Sequence, residues 1–203
     1  MRLGIFGGSF DPVHYGHLLL AEASREQAQL DAVWFMPAAT APHKQGQTPA
    51  TPEQRTEMLR LAIGGQSAFD VCDIELKRGG VSYTVDTLRE LKSQDNSRDL
   101  FLLLGGDSLV DLPTWRAPAE ICELALPVVV GRPGAAEPDF GQLARFATPE
   151  RIEAMRQHQV QMPLVGLSSQ EIRRRVADGR SIRYMTPRAV EEYIKTTGLY
   201  REP

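Results

Sequence analysis

"RLGIFGGSFDPVHYGH", residues 2 to 17, is the stretch on which the fold turns. Its first part, "RLGIF" (2–6), is a short apolar run that reads as a strand. The run breaks at Gly7 and Gly8, and from about His14 to Gln29 an amphipathic pattern of helical period takes over. Strand, tight turn and helix in that order open an α/β unit. The two glycines let the backbone turn sharply and expose its N–H groups. The helix entered near His14 brings a positive dipole end, so an anion is welcome there. His14 and His17, three apart, share one face of the first turns and can donate to phosphate oxygens. Gly16 between them lets a ligand approach closely, and Asp11-Pro12 shapes the turn.

The same alternation continues outward from this unit. "DAVWFMP" (31–37) reads as a second strand, with Trp34 in its core. "TPEQRTEMLRLAI" (51–63) is a well-marked helix, with Thr51 as N-cap, Pro52 at the first helical position and Met58, Leu59, Ala62 and Ile63 apolar. "FDVCDIEL" (69–76) alternates as a half-exposed strand does, and "TVDTLRELK" (84–92) is helical with Val85, Leu88 and Leu91 on one face. "DLFLLLGGD" (99–107) is a continuous apolar run suited to a central strand covered on both faces. "LPVVVG" (126–131) is another strand, a polar stretch of about 134–159 contributes helix and loop, and "VQMPLVGL" (160–167) reads as the last strand. Two short helices follow at about 169–178 and 187–196, the second closed by Gly198.

These elements predict an α/β fold: a Rossmann-like open parallel sheet with helices on both faces and a small C-terminal helical portion. Ligands of such sheets sit beyond the carboxyl ends of the strands. The segments expected to meet there are Gly7 to His17, Pro37 to Lys44 and Gly105 to Asp107. With 203 residues and neither repeat nor long linker, the chain reads as a single domain, 1–203, in which 168–203 completes the site.

The totals exclude several classes. A formal net charge of −3 argues against general nucleic-acid binding. No stretch approaches the roughly 18 apolar residues of a membrane span, and the N-terminus carries no signal-peptide pattern. Cys72 and Cys122 lie inside apolar runs and read as buried free thiols, which suits a reducing cytoplasm. One local excess stands out: between Ser168 and Arg188 six arginines face only Glu171 and Asp178, a balance of +4. That suffices for a small anion, and it also suits a solvated helix face.

Familiar phosphate and metal signatures do not fit the opening stretch. No Lys-Ser/Thr pair starts the helix, so it is not a Walker A loop. The G-x-G-x-x-G fingerprint is missing, as is the acid at the end of the second strand, where "WFMP" stands. HxxH without a third or fourth ligand is no zinc site, and no metal ligands are assigned.

"GGSFDPVHYGH" does resemble the HxGH nucleotidyltransferase signature, G-x-F-D-P-x-H-x-G-H. Within that superfamily the chain looks closest to the nicotinate mononucleotide adenylyltransferase family. Further matches are "PHK" (42–44), "SYTVDTL" (82–88), "GGDSL" (105–109), "LPTW" (112–115) and "LSSQEIRRRV" (167–176), and they span the chain. The usual I-S-S-T-x-I-R reads L-S-S-Q-E-I-R here, so Gln170 lacks the hydroxyl at that position.

The resemblance implies transfer of AMP from ATP to nicotinate mononucleotide, with release of pyrophosphate and with magnesium accompanying the triphosphate. It puts His14 and His17 at the triphosphate, and Gly7, Gly8, Ser9 and Phe10 beside it as backbone contacts. Ser168 and Ser169 join the ATP site. Ser168, with Glu171, also forms an S-x-x-E capping box, and the two roles are compatible. Arg173 becomes the triphosphate clamp, whereas Arg174 and Arg175 read as solvent charges. Gly105 and Asp107 fall to the ATP site, with Asp107 placed to bond a ribose hydroxyl or to cap a helix. His43 and Lys44 lie near the phosphates and the acceptor, and Tyr83 and Thr84 line the mononucleotide site, Thr84 also being a candidate cap. Trp115 stacks on the nicotinate ring, whose carboxylate meets the N–H groups of Arg116 and Ala117. The rivals are a sister enzyme for nicotinamide mononucleotide or phosphopantetheine, and a non-catalytic nucleotide sensor. Oligomeric state stays open, a homo-oligomer included.

Overall fold

A computed structural model of the chain describes residues 1–41, 49–131 and 138–201. In chain order the elements are β1 (Arg2–Gly8), α1 (Tyr15–Gln27), β2 (Ala32–Pro37), α2 (Pro52–Ile63), β3 (Phe69–Val71), α3 (Ile74–Arg78), α4 (Thr84–Gln94) and β4 (Asp99–Gly105). They continue as α5 (Gly106–Asp111), α6 (Pro118–Leu124), β5 (Ala125–Gly131), α7 (Pro149–Gln157), β6 (Val160–Gln161), α8 (Ser169–Ala177) and α9 (Arg188–Thr197). The fold is the Rossmann-like α/β sheet that the alternation predicts. Its strand order is β3-β2-β1-β4-β5-β6, so the direction of winding reverses between β1 and β4. Pairing is parallel where β1 meets β4, β4 meets β5 and β5 meets β6.

By packing, the chain forms two compact units. One comprises Met1–Phe6, Leu20–Trp34 and Tyr83–Leu164; the other comprises Gly7–Leu19, Phe35–Ser82 and Val165–Pro203. In the first, β4 is central: Leu100 to Leu104 are buried in succession, as a strand covered on both faces requires. Gly4 of β1 exists for packing, because a Cβ there would come within 2.8 Å of Leu30 and 3.1 Å of Val33. Val85, Leu88 and Leu91 of α4 are fully buried, as their spacing predicts. Trp34 is only half-buried and lies under the Arg98 guanidinium, 5.0 Å from its ring, rather than inside the core.

In the second unit, α2 starts as the sequence indicates. Thr51 accepts from the Gln54 N–H while the Gln54 side chain accepts from the Thr51 N–H, a complete capping box. Two strand expectations are shortened. The alternation of 69–76 ends at Val71, and Ile74 begins a short helix; a two-faced pattern over so few residues fits either period. The last strand likewise stops at Gln161, so most of 160–167 is irregular. Cys122 is buried and Cys72 half-buried; both are free thiols, and burial pushes both above the ordinary thiol range.

Candidate active site

In the second unit the site is built on the loop between β1 and α1. Gly7 and Gly8 are the last residues of the strand and do not make the turn; neither has a positive φ. The residue in the left-handed region is Phe10, with φ 50°. Gly8 is required for space instead, since a Cβ there would come within 2.9 Å of the Phe10 ring. That ring is buried and packs edge-on against Phe35 at 5.6 Å and His17 at 5.1 Å, so Phe10 braces an imidazole from below.

His14 and His17 stack with ring centroids 3.7 Å apart and planes inclined by 23°. The His14 backbone N–H donates to His17 Nδ1 at 3.2 Å. An accepting Nδ1 carries no proton, so neutral His17 bears its hydrogen on Nε2 and offers it as a donor. His14 is buried, and burial lowers its pKa to about 4, which keeps it neutral at pH 7. Gly16 also serves this pair: the place of its Cβ lies 3.0 Å from two atoms of the His14 ring.

The C-terminal portion of the same unit holds this loop by its carbonyls. Arg173 donates to the Asp11 carbonyl at 2.6 Å, Ser169 to that of Pro12 at 2.8 Å and Thr186 to that of Val13 at 2.8 Å. Tyr15 N–H, at the start of α1, is taken by the Met185 carbonyl at 3.1 Å. Ser168 is the N-cap of α8 and accepts from the Glu171 N–H at 3.1 Å. Gln170, the second residue of α8, is exposed. Most of the local arginine excess is matched: Arg174 and Arg175 pair with Glu171, Arg183 with Glu191 and Arg188 with Glu192. Arg175 is more than a solvent charge, since its Nε also donates to the Ser181 carbonyl at 2.8 Å.

Arg55 and Tyr200 escape sequence reasoning. Arg55, 1% exposed, donates to the carbonyls of Ser9 at 2.9 Å and Ala38 at 2.7 Å. It thereby ties the loop to the end of β2 (Ala32–Pro37). Its position three and four residues before Met58 and Leu59, on the apolar face of α2, was a usable signal. For Tyr200, beyond the helix stop at Gly198, no local signal exists.

The first unit carries the other candidates. Gly105 is the N-cap of α5, so Asp107 stands at the second helical position, exposed and not acting as a cap. Tyr83 occupies the N-cap position of α4 and Thr84 is its first residue, which removes the capping reading of Thr84. Trp115 is half-buried, and its indole N–H is shielded from solvent without a hydrogen-bond partner. Ala117, next but one, takes φ 53° and opens α6. The Arg116 guanidinium lies 4.8 Å over the Tyr83 ring and bonds Asp86 at 3.2 Å. Arg89 bridges Asp86 and Glu120 and holds the Glu120 carboxyl below its usual range. Arg116, between Trp115 and Ala117, is thus tied to Tyr83 and Asp86 by contacts that sequence reading did not anticipate. His43 and Lys44 lie outside the described residues.

Comparison with known proteins defines the class. Residues 5–175 match the cytidylyltransferase-like family. A protein of Thermomicrobium roseum named as a probable nicotinate-nucleotide adenylyltransferase is 48% identical, over 98% of this chain and 92% of its own length. A Thermus thermophilus protein of the same name is 45% identical over 99% of this chain and 100% of its own. In fold the chain is similar to Plasmodium falciparum nicotinic acid mononucleotide adenylyltransferase, solved in complex with NaAD, at a TM-score of 0.74 and 18% identity, covering 98% of this chain and 97% of that one. The chain belongs to the nicotinate-nucleotide adenylyltransferase family, a group of nucleotidyltransferases.

Proposed function

We propose that the chain transfers AMP from ATP to nicotinate mononucleotide, giving nicotinate adenine dinucleotide and pyrophosphate, as a step in NAD biosynthesis. A phosphate oxygen of the mononucleotide attacks the α-phosphorus, and the bond from that phosphorus to the bridging oxygen of the β-phosphate breaks. No side-chain nucleophile is needed, so the protein's part is positioning and charge stabilisation. The observation that carries this reading is the stacked His14–His17 pair, with His17 fixed as an Nε2–H donor. On this reading His17 donates to the triphosphate where charge develops, and His14, kept neutral, holds its geometry.

The C-terminal portion, 168–203, completes the ATP site. Arg173 anchors to the same loop through one N–H and keeps further donors for phosphate oxygens. Gly7, Gly8, Ser9, Phe10, Ser168 and Ser169 contribute backbone or hydroxyl contacts, and Gly105 and Asp107 serve the nucleoside end. Tyr83, Thr84, Trp115 and Asp107 receive the mononucleotide, Trp115 by stacking on its ring. The family resemblance places His43 and Lys44 near the phosphates and the acceptor, where Lys44, a mobile cation, follows the transferring charge.

Among the described residues no group of three or more His, Cys, Asp or Glu side chains could hold a metal. Magnesium accompanies the triphosphate, as is usual for this chemistry. Among those residues no helix is long and apolar enough to cross a membrane. The free thiols suit work in a reducing cytoplasm.

The test is pyrophosphate release from ATP with nicotinate mononucleotide, nicotinamide mononucleotide or phosphopantetheine as acceptor. Release fastest with nicotinate mononucleotide is expected. ATP binding without release for any acceptor would identify a nucleotide sensor instead.

A further inference from the structure

Asp11 is the one side chain of the β1–α1 loop whose chemistry the preceding reading does not use. It is 2% exposed. Its Oδ1 accepts a 2.6 Å hydrogen bond from the Tyr200 hydroxyl, 189 residues away. Its Oδ2 is buried without a hydrogen-bond partner and stands 3.9 Å from Arg173 Nη1. That same Nη1 donates instead to the Asp11 backbone carbonyl at 2.6 Å.

A guanidinium beside a buried carboxylate ordinarily closes on it with two parallel bonds. Here Arg173 makes neither bond. The other buried guanidinium nearby, Arg55, is committed to the carbonyls of Ser9 and Ala38. What occupies the carboxylate is Tyr200, whose phenol burial pushes above its ordinary range, so that it remains a donor. Tyr200 reaches Asp11 with φ 63°, a left-handed conformation that is strained for a bulky residue.

We propose that Tyr200 is a positioning residue for the triphosphate clamp. By holding Asp11 Oδ1 it keeps Arg173 on the loop carbonyl and out of a closed ion pair, leaving the guanidinium open to an anionic ligand. Without the hydroxyl, both carboxylate oxygens call for donors and Arg173 turns onto them, so its charge is neutralised before ATP arrives. This inference rests on Arg173 meeting the triphosphate, as proposed above.

The experiment measures ATP and nicotinate mononucleotide affinity by calorimetry on wild type, Tyr200→Phe and the double variant Asp11→Asn/Tyr200→Phe. Tyr200→Phe should weaken ATP binding about tenfold, the worth of one charge-assisted hydrogen bond, and leave the mononucleotide unaffected. The double variant has no carboxylate to capture Arg173 and should regain most of the ATP affinity. A merely structural role gives the opposite, a double variant as weak as the single or weaker, and overturns the inference. Unchanged ATP affinity in Tyr200→Phe also overturns it while leaving the proposed function standing. A wild-type chain that binds no ATP removes both.

Discussion

Acidification tests the His14 site most directly. His14 keeps a folded pKa of about 4 because it is buried, against 6.5 for a free imidazole. Between those values the unfolded chain binds a proton that the folded chain refuses, so protonation favours unfolding. The stability that His14 lends by staying neutral is complete above pH 6.5 and is lost as the pH falls toward 4. The lowered pKa corresponds to about 2 kcal/mol lost by pH 5 and about 3 kcal/mol by pH 4. Urea unfolding followed by circular dichroism at pH 7, 5 and 4 gives these values, provided that His14→Asn is measured beside the wild type. The variant lacks the titrating ring, so the difference between the two isolates His14 from every carboxylate that protonates in the same range. The wild type should lose its margin over the variant as the pH drops. A difference that stays flat from pH 7 to pH 4 would refute the buried, neutral imidazole and the fixed His14–His17 geometry with it.

Other expectations are shorter to state. His17→Ala should lower the turnover of pyrophosphate release about 10²–10³-fold, the cost of one lost donor at a developing charge; a variant turning over at the wild-type rate takes His17 out of the mechanism. Gly16→Ala pushes a Cβ against the His14 ring, where only 3.0 Å is available. It should cost about 1–3 kcal/mol in thermal unfolding and depress turnover as well. Thr51→Ala removes the cap of α2 and should cost about 1 kcal/mol of stability, with turnover at saturating substrate unaltered.

Much of the fold was legible because its signals are local. The capping box at Thr51 and Gln54, the buried face of Val85, Leu88 and Leu91, and the unbroken run from Leu100 to Leu104 all act within a few residues. The two shortened strands failed for the same reason. Alternation over 69–76 cannot be separated from a strand that passes into a helix at Ile74. Within the candidate site, motif singled out the histidine pair and Arg173, which the structure places on and against the β1–α1 loop. The packing demand on Gly8 and Gly16 was not legible, because the atoms next to their missing side chains belong to Phe10 and His14.

By itself the sequence determined the β1–α1 unit, the alternation that yields a parallel sheet and the ordered motifs that mark the family. Each depends on periodicity, capping or residue type, which a chain carries in short windows. Only the tertiary structure decided how the loop at the histidines is held. The carbonyls of Asp11, Pro12 and Val13 find donors 162, 157 and 173 residues away, and Arg55 and Tyr200 complete the support from α2 and the C-terminus. Buried polar groups must find partners wherever folding brings donors, and no short-range pattern records which distant side chain will meet that need.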